Sequence, residues 1–278
     1  MTSVYVKQLF HMSQLCLGEM MALCRLHHIC YDDRAGDIIV VKSRRPGSRI
    51  AIRMGNYFLQ YQKCDVEILA TDKWIRWENA VQNEMKQSDS GETAELYKGR
   101  PQAFNRRHIS GSSLWDLLKK GRYSDDQKFS AVRWAFDSLG RLHRRQADWG
   151  SGIIQSVSHG DATAHNVIVN LDLQEANWID FDIRHLPHLS DLDRRADDLR
   201  ALAFSAAVGL PVSKFPPLAE TVIASIHDRR LLNRFRERLT NDWCQLNTFQ
   251  LAQAPLSWNS KNMLRELLLK AKDHTDAR

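Results

Sequence analysis

Ser158-His159-Gly160-Asp161-Ala162-Thr163-Ala164-His165-Asn166-Val167-Ile168-Val169, followed by Trp178-Ile179-Asp180-Phe181-Asp182, is the stretch on which the fold turns. It reads as a loop, a buried strand, a turn and a second strand that ends in a carboxylate. Asp161, Asn166 and Asp180 are three oxygen-bearing side chains that this layout can gather around a metal-bound phosphate. Phosphoryl transfer asks for little covalent chemistry from a protein. It needs one carboxylate to orient and deprotonate a hydroxyl, and oxygen ligands that hold Mg²⁺ against the phosphates. Asp161 fits the first task; Asn166 and Asp180 fit the second. The competing reading is a polar hairpin whose Asp and Asn merely serve the turn.

The combined pattern, H-G-D-x-x-x-x-N, an apolar strand and then I-D-F-D, resembles the catalytic and metal loops of the protein-kinase-like superfamily, where H-R-D and D-F-G are the better-known spellings. The H-G-D form resembles small-molecule kinases such as aminoglycoside phosphotransferases. Ala164-His-Asn-Val-Ile-Val169 with Trp178-Ile-Asp-Phe-Asp182 is most similar to bacterial lipopolysaccharide core kinases, which phosphorylate Kdo or heptose. The resemblance implies an α+β, bilobal fold: an N-terminal lobe of antiparallel sheet over residues 1–109 and a mainly helical catalytic lobe over 110–278. It also implies ATP and Mg²⁺ as cofactors, with Asp161 as catalytic base and Asn166 and Asp180 as metal ligands. The acceptor it implies is a hydroxyl-bearing small molecule or glycolipid; nucleic acid is not expected. An antibiotic phosphotransferase, an atypical Ser/Thr protein kinase and a nucleotide-binding pseudokinase are the alternatives. Asp182 stands where protein kinases carry Gly, which argues against a regulated flip of this loop; there is no A-P-E-like segment or obvious activation loop, which lowers the weight of a protein substrate.

The chain has 278 residues and a formal net charge of +6, enough for a proper core and suited to anionic partners without choosing among them. Its five cysteines are odd in number and irregularly spaced, which argues for reduced thiols in a cytoplasmic protein. The Cys24-x-x-His27-His28-x-Cys30 cluster does not match a zinc site well and is assigned to core and surface positions around a helix end. The segment from Val4 to Leu26 is too polar to span a bilayer and does not read as a signal peptide. An amphipathic helix packed on the domain is the preferred reading, and a peripheral position at the inner face of the membrane is the second.

Asp37–Lys42 reads as a strand and Arg44–Ser48 as a turn. Arg49–Arg53 alternates as a half-buried strand does, Gly55-Asn56 signals a hairpin, and Tyr57–Lys63 is the returning strand. No G-x-G-x-x-G is present, so Arg44 and Arg45 stand in as candidates to cover phosphates. Lys63 is the preferred phosphate-binding lysine, because Lys42, though it ends Ile-Val-Val-Lys as the motif does, falls one strand too early. Glu78, on a helix from Trp74 to Met85, is its expected partner, ahead of Glu84. Ala94–Tyr97 and Ala103–Ile109 are further strand candidates. Ser110–Ser113 reads as a linker, and Leu114 opens a helix. Ser124 caps a long helix reaching about Arg145, with Gln127 completing a capping box. Asp198, then Asp197, is the candidate carboxylate to lock the catalytic loop through its N–H groups. Helical spacing continues over Leu218–Ile226, Leu231–Leu246 and Asn262–Lys270.

Overall fold

The structure, a computed structural model, describes residues 26–34, 37–61, 64–86, 103–148, 154–240 and 256–272. The expected N-terminal helix, except for Leu26, the strand at Ala94–Tyr97, and Lys63 all lie outside these residues.

Strands β1 (His27–Arg34) and β2 (Asp37–Arg44) form an antiparallel hairpin, and β4 (Ala103–Arg107) pairs along the other edge of β2. The register sets His27 opposite Arg44, Ile29 opposite Lys42, and Lys42 opposite Phe104. Directly opposed residues share a face, and alternate residues of one strand do too. His27, Lys42, Arg44 and Phe104 therefore look the same way. They look toward helix α2 (Thr71–Lys86), whose Trp74 packs edge-on to Phe104 at 6.4 Å and lies under both Lys42 (5.1 Å) and Arg44 (4.9 Å).

Two of the expected strands are not strands. Arg49–Arg53 and most of Tyr57–Lys63 belong to one helix, α1 (Ser48–Tyr61). Its buried residues Ile52, Gly55 and Leu59 recur at three and four, the helical period. Gly55-Asn56 is accordingly no hairpin turn. The Asn56 amide accepts from Ile68 N–H at 2.7 Å and donates to Ile68 C=O at 2.9 Å. It thereby supplements the pairing of the short strand β3 (Val66–Ile68). Nor does the histidine–cysteine cluster mark a helix end: His27, His28 and Cys30 lie on β1.

The rest of the chain is mostly helical. Residues Ser112–Ser113 (β5), Val167–Asn170 (β8) and Glu175–Trp178 (β9) form a small antiparallel sheet; Gln146–Asp148 (β6) and Ile154–Ser156 (β7) form another. Helix α3 (Leu114–Lys119) follows the linker. Helix α4 (Asp125–His143) begins with the expected capping box of Ser124 and Gln127. Helices α5 (Asp191–Val208), α6 (Phe215–Ala224), α7 (Arg229–Thr240) and α8 (Trp258–Lys270) complete the lobe. The main core runs through α4, α5 and α6, and the buried Trp178 donates to Ser138 Oγ at 2.9 Å within it. Such a satisfied indole can be buried without loss of a hydrogen bond. Truncating a core residue such as Leu139 or Phe136 costs about 2–5 kcal/mol at sites of this kind.

One pairing crosses from the first part of the chain to the second: β3 is antiparallel to β10 (Ile183–His185), with Ile68 opposite Ile183. Ile52, Leu59, Val66, Ile68 and Ile183 form a second small core beneath it. Among the described residues no helix is long and apolar enough to cross a membrane.

Candidate active site

The segment between β7 and β8 is held by one carboxylate. Asp198, on α5 and fully buried, accepts from His159 N–H at 2.7 Å and Gly160 N–H at 2.9 Å, and meets His143 Nε2 at 3.0 Å. Burial alone would raise its proton affinity. His185, His143 and His159 outweigh that and hold its pKa below the ordinary carboxylate value. Asp197, the second choice from sequence, instead pairs with His185 and Arg200.

His159 works on the same loop. Its Nε2 bonds Ile179 C=O at 2.9 Å, and its Nδ1 faces Asp161 N–H at 3.3 Å, so the neutral Nε2–H tautomer satisfies both contacts. Burial lowers its pKa and keeps it neutral. Gly160 sits at φ +78°, and a Cβ there would meet Ile183 O at 2.9 Å, so the loop's close approach to β10 requires glycine.

The structure brings Asp161 and Asn166 together. The Asn166 amide nitrogen donates to Asp161 Oδ2 and to its backbone carbonyl, both at 2.9 Å. This leaves the Asn166 side-chain carbonyl oxygen as the atom able to serve a cation. Asn166 C=O accepts from Ile179 N–H at 2.9 Å. The chain therefore enters Asp180 already fastened to the Asp161 loop. Asp180 adopts φ +70°, a left-handed conformation that Asp tolerates better than most residues and that recurs at functional positions.

Beyond Asp180 the site is ionic. The Lys42 ammonium contacts the Asp180 carboxylate directly and stands 3.9 Å from Glu78. Glu78, buried on α2, also takes the Trp74 indole N–H. Burial would lower the Lys42 pKa, but Asp180, Glu78 and Asp182 together outweigh it and keep the ammonium charged. For Asp180, burial raises proton affinity and Lys42 more than reverses it. Asp182 goes the other way: burial and the neighbouring Asp180 charge raise its pKa against the pull of Lys42 and Arg44. Arg44 Nη1 lies 3.5 Å and His27 Nδ1 3.8 Å from Asp182. Burial, Lys42 and Arg44 lower the His27 pKa to about 2, which keeps its ring neutral. Ligand atoms of His27, Asp180 and Asp182 lie within 4.8 Å of one another, a spacing that could hold a cation.

The sequence reading and the structure thus divide over the lysine. Glu78 is where an acid partner was expected, but its basic neighbour is Lys42. The strand meant to carry Lys63 is α1, which ends at Tyr61. Lys42 lies on β2, the second strand once β1 is counted; α1 and β3 follow it before the helix that carries Glu78, and only tertiary packing brings the two together. Arg44 is the last residue of β2, facing Asp182, and not part of an exposed turn. His27 was missed altogether, and its only sequence signal was membership of the rejected histidine–cysteine cluster.

A lysine on a sheet strand near a helix glutamate, a loop Asp–Asn pair and a following Asp lie between an N-terminal sheet and a helical lobe, a bilobal α+β arrangement. No family model matches the chain, and no curated protein does. Among solved structures, an ethanolamine kinase of Plasmodium vivax is similar at 12% identity and a TM-score of 0.31, over 87% of this chain and 81% of that one.

Proposed function

We propose that the chain is an ATP- and Mg²⁺-dependent phosphotransferase that transfers the γ-phosphate to a hydroxyl of a lipopolysaccharide-core-type sugar or a related small molecule. The observation that carries this reading is the junction of two constellations. Asp161 and Asn166 are bonded to each other, and Asn166 is bonded to the residue before Asp180, on which Lys42 closes.

The donor set suits the cofactor. Asn166 offers a carbonyl oxygen and Asp180 a carboxylate held ionised, the hard oxygen ligands that Mg²⁺ prefers. Lys42, kept charged by its acidic neighbours, is the cation for the phosphates, in the place expected of Lys63. Asn166 and Asp180 would hold the metal. When bound, ATP would supply the phosphoryl group and Mg²⁺ would offset its charge. Asp161 would accept a hydrogen bond from the acceptor hydroxyl and take its proton as the hydroxyl oxygen bonds the γ-phosphorus and the β–γ bridging oxygen leaves with ADP. Asp198 and His159 keep Asp161 at its station by fixing the backbone on either side of Gly160. Neutral His159, spent on Ile179 C=O, is not a second base. The sugar acceptor rests on the motif spellings, the cytoplasmic location on the odd and irregular cysteines, and peripheral membrane contact on the Val4–Leu26 sequence; together they complete the proposal.

The test is Mg²⁺-dependent ATP consumption with pooled sugar, glycolipid, aminoglycoside and protein acceptors. Turnover is expected with the sugar or glycolipid pool. Asp161→Asn should bind Mg·ATP like the parent and turn over about 10²–10⁴-fold more slowly. A parent that binds Mg·ATP but consumes none with any acceptor would instead make the protein a nucleotide-binding module.

A further inference from the structure

Among the described residues, the outer face of α1 is left out of both cores and of the site. Ile50, Met54, Tyr57 and Tyr61 are 68%, 54%, 70% and 74% exposed. They fall at i, i+4, i+7 and i+11, so they make one continuous apolar stripe along the helix. The inner face is already committed, through Ile52 and Leu59 in the small core and through the Asn56 amide on Ile68. A helix apolar on both faces, one of them open, needs a second partner.

The charge around the stripe points to that partner. Arg49 and Arg53 are exposed on the same helix. From Ser43 to Cys64 the sequence has no Asp or Glu, so nothing within the run offsets these two arginines. Exposed tyrosines beside arginines suit the headgroup level of a bilayer, where the ring is half in apolar surroundings and the cations meet lipid phosphates. A second copy of the chain fits less well. Packing this stripe on itself would bring two basic edges together with no acidic residue in the run to receive either.

We infer that α1 is a docking helix for an anionic lipid surface, seated through Ile50, Met54, Tyr57 and Tyr61 and held by Arg49 and Arg53. The helix is also tied to the site. Asn56 bonds the backbone of Ile68, Ile68 pairs with Ile183, and Ile183 adjoins Asp182. Docking therefore fixes the orientation of the Asp180 loop relative to the lipid surface, which is where a lipid-borne acceptor would be presented.

The experiment is flotation of the full-length chain with vesicles of phosphatidylcholine alone or mixed with phosphatidylglycerol, independent of any turnover. Binding is expected only with the anionic vesicles and should weaken as salt is raised. Arg49→Gln with Arg53→Gln should weaken it on the order of tenfold or more. Met54→Glu with Tyr57→Glu should abolish it while melting temperature and Mg·ATP affinity stay those of the parent, since both side chains are exposed. A parent that ignores anionic vesicles at low salt overturns the inference, as does a Glu variant that floats like the parent. Light scattering that shows a dimer dissociated by the Glu substitutions would also overturn it and make the stripe a self-association face.

Discussion

The two halves of the candidate site are held by different forces. Around Asp161 the geometry comes from hydrogen bonds to one carboxylate and from neutral imidazoles: Asp198 takes two backbone N–H groups, and His159 bridges to Ile179. Around Asp180 it comes from opposed charges, with Lys42 and Arg44 set against Glu78, Asp180 and Asp182, and the neutral His27 beside Asp182. A fully satisfied hydrogen-bond network has one arrangement. A charge cluster has an arrangement that depends on what ions are present. The contrast suits the proposed chemistry, in which the base must stay in place while the phosphate end accepts a multiply charged ligand.

The sharpest way to break this contrast is at the lysine. Lys42→Met should lower turnover by about 10²-fold or more, because it removes the cation assigned to developing phosphate charge, and Lys63→Met should change it little. Steady-state rates for the pair decide between them, and the reverse order would relocate the charged half of the site. Asp180→Ala should come next, losing Mg²⁺-dependent nucleotide affinity in calorimetry with the fold intact; unchanged affinity would remove Asp180 from the metal assignment. Asp198→Asn attacks the other half. It replaces a charged acceptor of two buried N–H groups with an amide, and urea unfolding should show a loss of about 2–3 kcal/mol. A loss below about half a kcal/mol would mean that the loop holds its own shape.

The smallest effect is one of pH. Burial lowers the pKa of His143 despite the pull of Asp198. The unfolded chain, with an imidazole pKa of about 6.5, then binds the proton first, so this group costs stability as pH falls below that value. Between pH 7 and pH 5 the parent should lose stability relative to His143→Gln, by no more than about 2 kcal/mol, measured as parallel denaturation curves. Curves that keep a constant separation would show that the folded protein protonates His143 as readily as the unfolded one.

The loop that carries Asp161, Asn166 and Asp180 stood out in the sequence, while the rest of the ionic half did so only through Glu78, and the reason is distance along the chain. Asp161, Asn166 and Asp180 lie within one short stretch whose spacing is itself the signal, and Asp198 follows on the next helix. The charged half draws on His27, Lys42, Glu78 and Asp182, which only tertiary pairing unites. The error began in two places. His27–Arg34 reads as a metal-like cluster followed by acids, with its apolar Ile29 and Tyr31 exposed, so β1 lacked a strand's usual pattern. Arg49-Ile-Ala-Ile-Arg53 alternates over five residues, too few to separate a period of two from a helix in which Ile52 is buried and Ile50 is not. Gly55-Asn56 then completed a false hairpin, because the bonds that Asn56 makes are to a strand twelve residues on. The expectation of helices from Leu114 onward fared better, since caps such as Ser124 with Gln127 and Ser190 with Asp193 act within one turn.

The strand pair β3–β10 bears on how such a protein could be turned off. The residues just past Asp182 are woven into backbone pairing with Val66–Ile68, and Leu69 N–H bonds Asp182 C=O at 2.8 Å. A reversible outward swing of the Asp180 segment would have to unzip that ribbon and strip α1 of its inner contacts at the same time. The architecture therefore lacks an inexpensive standby position for its acidic loop. Control that works by moving this loop would first have to break the β3–β10 pairing.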